Sequence, residues 1–133
     1  MSDGTLKINP FSSLIMVNIQ LWNKKKNAYS DFSITVDTGA SVTTISNDIL
    51  IRAGYDVSKG QTKKITTASG TEFVKEIAVD KIQLDNIVLD NVIVYAHTFP
   101  QESFSTGVLG LNILADFDVN FLFSKGVIEL TKI

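Results

Sequence analysis

An alternating run that ends in an acid and a glycine turn constrains this chain more than any other stretch. Phe32, Ile34 and Val36 recur at every second position, which predicts a β-strand with these side chains on one face. Asp37 follows on the opposite face, and Thr38-Gly39 then breaks the pattern, because glycine adopts backbone angles closed to other residues. The sequence therefore predicts a carboxylate presented by a loop at a strand end, a setting suited to general acid-base catalysis.

Much of the remaining chain alternates in the same way, in short runs separated by turn residues. A first run, Ile15 to Leu21, is joined through a basic turn, Lys24 to Asn27, to the strand that precedes Asp37. This hairpin is expected to set the direction in which the Asp37 side chain points. Residues Met1 to Pro10 are polar, and we expect them to form an arm outside the core.

Further strands follow in the second half of the chain. Lys63 to Thr67 and Thr71 to Val79 flank Ala68-Ser69-Gly70, whose small residues predict a hairpin tip. Asp85-Asn86 and Asp90-Asn91 predict Asx turns between later strands. These acids are turn formers, since no calcium loop of alternating acids surrounds them.

Two short helices are expected besides the strands. The first helix is predicted to begin at Ser46-Asn47-Asp48, where the Ser46 hydroxyl is able to cap free backbone amides. It is predicted to end at Gly54. Asn112 to Asp116 is the second candidate. It precedes a strand from Val119 to Phe123.

Two motifs resemble the active-site signatures of the retropepsins, the retroviral-type aspartic proteases. The first is Val36-Asp37-Thr38-Gly39-Ala40, in which the alanine is more similar to the retroviral type than to the two-lobed pepsins. The second is Gly107-Val108-Leu109-Gly110, followed by Leu111-Asn112-Ile113-Leu114. The motifs stand in the family's order with a flap-like hairpin between them, and the resemblance spans about Ile34 to Phe123.

The resemblance implies an all-β fold, namely a small closed β-barrel of the acid-protease type with one or two short helices and a flap hairpin. With 133 residues the chain has the length of one domain, so residues 1–133 are expected to form a single retropepsin-like domain. The chain contains one D-T-G sequence and therefore supplies one catalytic carboxylate. The family's chemistry uses two, so the second is expected from another copy in a homodimer.

The activity implied by the resemblance is that of an aspartic endopeptidase acting on peptides or proteins. Asp37 is the expected catalytic residue. Active-site support is expected from Thr38, Gly39, Ala40 and Gly110, and substrate binding from Gly39, Ser69, Gly70 and Val108. Neither a cofactor nor a metal is implied.

The sequence departs from the retroviral pattern at a charged pair and in the length of its C-terminal segment, and from the two-lobed enzymes at residue 40. Retroviral members often place an acid after the alanine and an arginine after the second glycine, whereas this chain has Ser41 and Leu111 there, so both partners of a charged pair are absent together. Ala40 also lacks the hydroxyl of the two-lobed enzymes, which predicts a mildly acidic activity optimum. Ser124 to Ile133 exceeds the family's length and could form a further hairpin that changes the dimer interface.

Composition excludes several other kinds of site. The chain has no cysteine and one histidine, His97, which excludes thiol chemistry and disfavours a zinc site or a serine-histidine system. The formal net charge is -2, and Lys24 to Lys26 is the one basic cluster, so no nucleic-acid footprint is present. No stretch predicts a signal peptide or membrane span, and a cytoplasmic protein is expected.

Two other functional hypotheses compete with the prediction of a protease. A peptide-binding or dimerisation module could keep this fold without turnover, although such a protein would not need Asp37. Asp37 could also serve as a phosphoryl acceptor, but that chemistry in haloacid dehalogenase-like enzymes needs a second acid two residues later, where Gly39 stands.

Overall fold

The computed structural model of the chain describes residues 2–68, 70–98 and 106–133. Within these ranges the chain forms strands, two short helices and one 3₁₀ turn, so the expected all-β class is confirmed. The strands are β1 (Gly4–Lys7), β2 (Met16–Asn23), β3 (Ala28–Val36), β4 (Thr44–Ser46), β5 (Gln61–Thr67), β6 (Gly70–Leu84), β7 (Ile87–His97), β8 (Gly107–Leu109), β9 (Phe117–Leu122) and β10 (Val127–Lys132). The helices are α1 (Asn47–Arg52) and α2 (Leu111–Leu114), and the 3₁₀ turn is Val57–Lys59.

Strands β2, β3, β8, β4, β7 and β6 lie side by side in that order, and β6 returns to β2. The closing contacts are the pairs Gln20 with Gln83 and Leu21 with Ile82. Strand β5 lies outside this ring, because it pairs only with β6 in the hairpin expected as a flap. The described residues therefore form the closed barrel that the sequence predicts.

The alternation of apolar residues decides which side chains fill the barrel. Phe32, Ile34 and Val36 are buried on the inner face of β3, as predicted, and Asp37 follows them half-buried on the opposite side. Each fully buried side chain of this size stabilises the fold by about 1.5–3 kcal/mol. Slipping β3 by one residue would expose this whole set, so burial fixes the position of Asp37.

A second sheet is formed by both ends of the chain, with β10 between β1 and β9. Leu6 in β1 is buried, and Gly4 pairs with Leu130. The expectation of an arm outside the core over Met1 to Pro10 is therefore wrong for β1, because β10 offers its backbone as a partner. The segment after Ser124 completes a hairpin within its own chain.

Three local predictions need correction. The Asp90-Asn91 pair does not separate two strands but lies inside β7, where Asn91 takes a left-handed backbone angle (φ 51°). Ser46 is the N-cap of α1, but its hydroxyl makes no capping hydrogen bond. The second helix, α2, begins at Leu111 rather than Asn112. Among the described residues, no helix combines the length and apolar character needed to cross a membrane.

The Tyr55 side chain connects the segment after α1 to the barrel through hydrogen bonds. Its ring is buried, its hydroxyl donates to the Trp22 carbonyl (2.8 Å), and the same hydroxyl accepts from the Asp80 N–H (3.2 Å). Burial raises the pKa of Tyr55 above its ordinary value of 10.0. The hydroxyl thus satisfies two backbone groups that face a largely apolar region.

We predict that Tyr55→Phe lowers the free energy of unfolding by about 1–3 kcal/mol, since the Trp22 carbonyl and the Asp80 amide both lose their partner. Urea unfolding at neutral pH measures the loss. Tyr29→Phe is the matched control, because the Tyr29 hydroxyl makes no hydrogen bond in the described part of the chain. Since the raised pKa disfavours the phenolate in the folded state, the wild-type advantage should shrink as pH rises above about 10. Equal destabilisation by both substitutions would contradict this role.

Candidate active site

The Asp37 carboxylate is held by backbone groups at the end of β3. The Asp37 N–H donates to the Leu109 carbonyl (3.0 Å), and Oδ1 of Asp37 accepts from the Gly39 N–H (2.9 Å). The Ala40 N–H donates to the Asp37 carbonyl (3.2 Å) and closes the turn. Oδ2 makes no hydrogen bond to the described residues. One oxygen is therefore fixed, and the other is left for a water or a second carboxylate.

Gly110 brings the second motif against the first. A Cβ at Gly110 would lie 2.8 Å from both the Ala40 carbonyl oxygen and the Val42 carbonyl carbon, so a larger residue would push the two segments apart. The Leu111 N–H donates to the same Ala40 oxygen (2.8 Å). The structure thus joins the two motifs that the sequence singled out, although about 70 residues of chain separate them.

A polar clamp, formed by Thr43, Asn112 and Gly110, supports this contact. Thr43 is completely buried, and its N–H and hydroxyl both donate to Asn112 Oδ1 (2.8 Å each). The Thr43 hydroxyl also accepts from the Gly110 N–H (3.0 Å), while Asn112 Nδ2 donates to the Ile93 carbonyl (2.7 Å). The clamp therefore connects the loop after Asp37 to α2 and to β7.

Sequence reasoning missed the clamp. The pattern of Val42 to Ile45 predicts only a short β-branched strand, and Asn112 stands in a predicted helix, so neither Thr43 nor Asn112 is marked as a support of the site. One feature of the sequence pointed to Thr43, because the hydroxyl of a threonine that is buried between apolar strand residues needs a hydrogen-bond partner. The sequence does not say which distant polar residue supplies that partner.

The remaining candidate residues are placed as follows. Thr38 and Gly39 are exposed beside Asp37, and a Cβ at Gly39 would lie 3.2 Å from Asp37 Oδ1. Val108 is half-buried next to Thr35 in the parallel pair of β3 and β8. Gly70 is exposed at the start of β6, with a backbone angle (φ 125°) that favours glycine. Ser69 lies outside the described residues.

The departures from the retroviral pattern are both at the surface. Ser41 and Leu111 are exposed, and their backbones are linked to the second motif and to Ala40 respectively. His97, for which the sequence predicts a place in a loop or at the rim of the substrate site, is the last residue of β7, and its Nε2 is 3.5 Å from the Glu72 carboxylate on β6. This contact lies near the tip of the β5–β6 hairpin.

A cavity of about 570 Å³ lies against β2, β3 and α1. Asp31, Phe32 and Arg52 are among the side chains that line it. Asp37 does not line this cavity. The candidate carboxylate therefore lies outside this cavity, next to the exposed Thr38 and Gly39.

We predict that Thr43→Val lowers the free energy of unfolding by about 1–3 kcal/mol, because the Gly110 N–H then lacks an acceptor in a buried position. The shape of the side chain is kept, so the loss reports the hydrogen bonds. Thr44→Val is the neighbouring control, since the Thr44 hydroxyl makes only a long contact (3.5 Å) with the Val42 carbonyl. Urea unfolding of both variants measures the difference, and a loss no greater for Thr43→Val than for Thr44→Val would contradict the clamp.

Comparisons with known proteins agree with this geometry. No curated protein matches the chain. Among solved structures, a retropepsin-like aspartic protease from Rickettsia conorii superposes with a TM-score of 0.66, covering 95% of this chain and 87% of that one. The two sequences are 19% identical, so the likeness shows a shared fold.

A family model described as "gag-polyprotein putative aspartyl protease" matches residues 25–116, which include both motifs. This match covers more than half of the chain. With the closed barrel and the two joined motifs, it places the chain in a family: the protein belongs to the retroviral-type, gag-polyprotein aspartyl protease family.

Proposed function

We propose that the protein is a homodimeric aspartic endopeptidase in which one Asp37 from each of two chains forms the catalytic dyad. The proposal treats residues 1–133 as one catalytic domain. Its substrate is a peptide or protein chain bound in extended form.

One observation carries this proposal, namely the state of the Asp37 carboxylate. Oδ1 is fixed by the Gly39 amide (2.9 Å), Oδ2 is unpaired among the described residues, and the neighbouring Thr38 and Gly39 are exposed. A rigid carboxylate at an open surface is suited to meeting a second carboxylate across a two-fold axis.

In the proposed mechanism the two Asp37 side chains lie so close together that both are not ionised at once, and they share one proton. The charged carboxylate takes a proton from a water held between the two. The neutral carboxylic acid donates a hydrogen bond to the substrate carbonyl oxygen. The water oxygen attacks the carbonyl carbon while the neutral acid transfers its proton to the carbonyl oxygen, which gives a gem-diol. The carboxyl group that took the proton from water then passes it to the leaving nitrogen, the C–N bond breaks, and a hydroxyl of the diol returns a proton to the other carboxylate.

Neighbouring residues have supporting roles in this proposal. Thr38, which is exposed, is proposed to bond across the two-fold axis, and Gly39 is proposed to let the substrate backbone approach. Val108 lines a side-chain pocket near the scissile bond. Gly70, at the start of β6, and Ser69, its neighbour in the sequence, are proposed to bind the substrate backbone through their amides.

We predict that Asp37→Asn lowers the rate of peptide hydrolysis at least about 10³-fold, because the amide neither takes a proton from water nor shares one. A peptide library or a denatured protein serves as substrate, and mass spectrometry of the products measures cleavage. Sedimentation of the variant provides the control, since folding and dimerisation should be unchanged.

Two results would contradict the proposal. The first is cleavage by Asp37→Asn at the wild-type rate. The second is a wild-type protein that binds peptides but never cleaves them at any pH, which is the behaviour of a non-catalytic binding module. Binding of a transition-state mimic such as pepstatin by the dimer would support assembly and chemistry together.

We also predict that Ala40→Ser moves the acid limb of the pH–kcat/KM profile to lower pH, by up to about one unit. A hydroxyl donor beside the dyad favours its charged form, which then persists at lower pH. The wild-type optimum should correspondingly be mildly rather than strongly acidic. Ser41→Ala is the control, because it changes an exposed hydroxyl at the next position. An unchanged profile for Ala40→Ser would show that residue 40 does not tune the dyad.

A further inference from the structure

The cavity against β2, β3 and α1, called here the side cavity, has the dimensions of a ligand site and is not used by the proposed chemistry. Its volume of about 570 Å³ lies within the range of ligand pockets. The buried side chains of Leu21, Phe32 and Ala53 form an apolar floor, and polar side chains surround this floor. An apolar floor with a few polar groups around it is the usual composition of a binding site.

Three polar side chains that line the side cavity are hydrogen-bond donors without an acidic partner. Lys26 and Arg52 are exposed cations, and neither forms an ion pair with a carboxylate in the described part of the chain. The Ser30 hydroxyl accepts from Asn23 Nδ2 (3.1 Å), and no described group accepts the hydroxyl proton of Ser30. Two cations and a hydroxyl proton at one cavity favour a carboxylate as the ligand.

A buried asparagine holds two of these donors in place. Asn23 is 4% exposed, and its Oδ1 accepts from the N–H groups of Lys25 and Lys26 (3.0 and 3.1 Å). Its Nδ2 donates to the Ser30 hydroxyl, as described above. One buried side chain therefore fixes the backbone of Lys26 and the hydroxyl of Ser30 relative to each other, which reduces the entropy that a ligand would lose on binding there.

The side cavity is basic although the protein is acidic. Asp31 is the one acid among the described residues that line the cavity, and its Oδ1 accepts from Gln20 Nε2 (2.7 Å). With Lys26 and Arg52, the charges that line the cavity sum to +1, whereas the whole chain has a formal charge of -2. An acidic ligand is therefore attracted to this cavity in preference to the average surface of the protein.

The side cavity lies on the strand that leads to the proposed catalytic residue. Phe32 and Asp37 are five residues apart in the sequence, which corresponds to about 17 Å of extended chain. Thr106 also lines the cavity, donates its hydroxyl to the Ser33 carbonyl, and stands two residues before Val108. A substrate chain cleaved at Asp37 therefore reaches the cavity once about five residues separate the two points.

We propose that the side cavity is a second binding site for the substrate protein and takes an acidic segment that carries an apolar side chain. The apolar side chain packs on the floor, and a neighbouring carboxylate accepts hydrogen bonds from Lys26, Ser30 and Arg52. The inference rests on the proposed function, since the site holds a chain that Asp37 cleaves. Binding at two points raises the effective concentration of the scissile bond at the dyad, so the acidic segment lowers KM and changes kcat little.

The first test measures binding without cleavage, in protein that carries Asp37→Asn. By fluorescence anisotropy, a labelled peptide containing Phe-Glu-Glu should bind more tightly than a matched peptide containing Phe-Gln-Gln. Lys26→Gln and Arg52→Gln should each raise the Kd of the acidic peptide about two- to fivefold, as for exposed ion pairs. Lys25→Gln is the control, because it makes the same charge change at a neighbouring residue that does not line the side cavity, and its Kd should be unchanged.

The second test reverses the sign of the effect. Asp31→Asn removes the negative charge at the side cavity and keeps an oxygen that can accept from Gln20. The Kd of the acidic peptide should fall about two- to fivefold, and the Kd of the neutral peptide should not change. A Kd of the acidic peptide that stays the same or rises would contradict binding of a carboxylate at this cavity.

The third test measures cleavage by protein with the natural Asp37. Peptide substrates share one scissile sequence and carry Phe-Glu-Glu about two, six or ten residues from it, on either side. KM should fall for the two longer spacings and not for the shortest one, and Phe-Gln-Gln should give no such fall. In Arg52→Gln, the ratio of kcat/KM with the acidic segment to kcat/KM without it should move towards one, whereas Lys25→Gln should keep the wild-type ratio.

The outcomes separate this inference from the proposed function. Equal Kd values for the acidic and neutral peptides, or equal effects of Lys25→Gln and Lys26→Gln, would overturn the side cavity as a site while continued cleavage left the dyad intact. A peptide Kd that rises with protein concentration would show that a second copy of the chain occupies the cavity, and would also overturn the inference. Tight binding of the acidic peptide by a wild-type protein that cleaves no peptide would instead contradict the proposed function, and with it the role of the cavity in holding a substrate.

Discussion

The contact between the Asp37 loop and Gly110 is the constraint on which the rest of this structure depends. The Asp37 N–H reaches the Leu109 carbonyl, and the Ala40 carbonyl accepts from the amide that follows Gly110. Because a Cβ at Gly110 would come within 2.8 Å of this loop, only a glycine permits the approach. The barrel can be understood as the framework that brings these two short segments together.

The framework positions the carboxylate but does not complete a catalytic site. The core fixes the register of β3, the clamp of Thr43 and Asn112 fixes the loop, and the Gly39 amide fixes one carboxylate oxygen. The other oxygen makes no hydrogen bond to the described residues, and Thr38 and Gly39 next to Asp37 are exposed. Rigidity inside one chain, combined with an open carboxylate at its surface, is the arrangement that a shared site between two chains requires.

Local sequence pattern was sufficient for much of the fold. Alternation in β2 and β3 predicted the hairpin and the direction of Asp37, and Gly54, with its left-handed backbone angle (φ 94°), marks the end of α1 as expected. The resemblance supplied the closed barrel, which the structure and the family match confirm. The roles of the individual site residues stay predictions.

The errors share one physical cause, which is long-range pairing. Strand β1 is short and polar in sequence, and it becomes a strand because β10 lies beside it. Asn91 looks like a turn residue, but the long pairing of β6 with β7 carries the strand through it. The clamp between Thr43 and Asn112 likewise joins residues whose neighbours in sequence reveal nothing about each other.

The central claim is that catalysis needs one Asp37 from each of two chains, and subunit mixing tests it most directly. Wild-type chains are mixed with increasing proportions of Asp37→Asn chains at a constant total concentration at which the protein is dimeric. The account predicts that activity per wild-type chain falls in proportion to the wild-type fraction, because a dimer with one Asp37 lacks the dyad. Activity per wild-type chain that stays constant across the mixtures would contradict it.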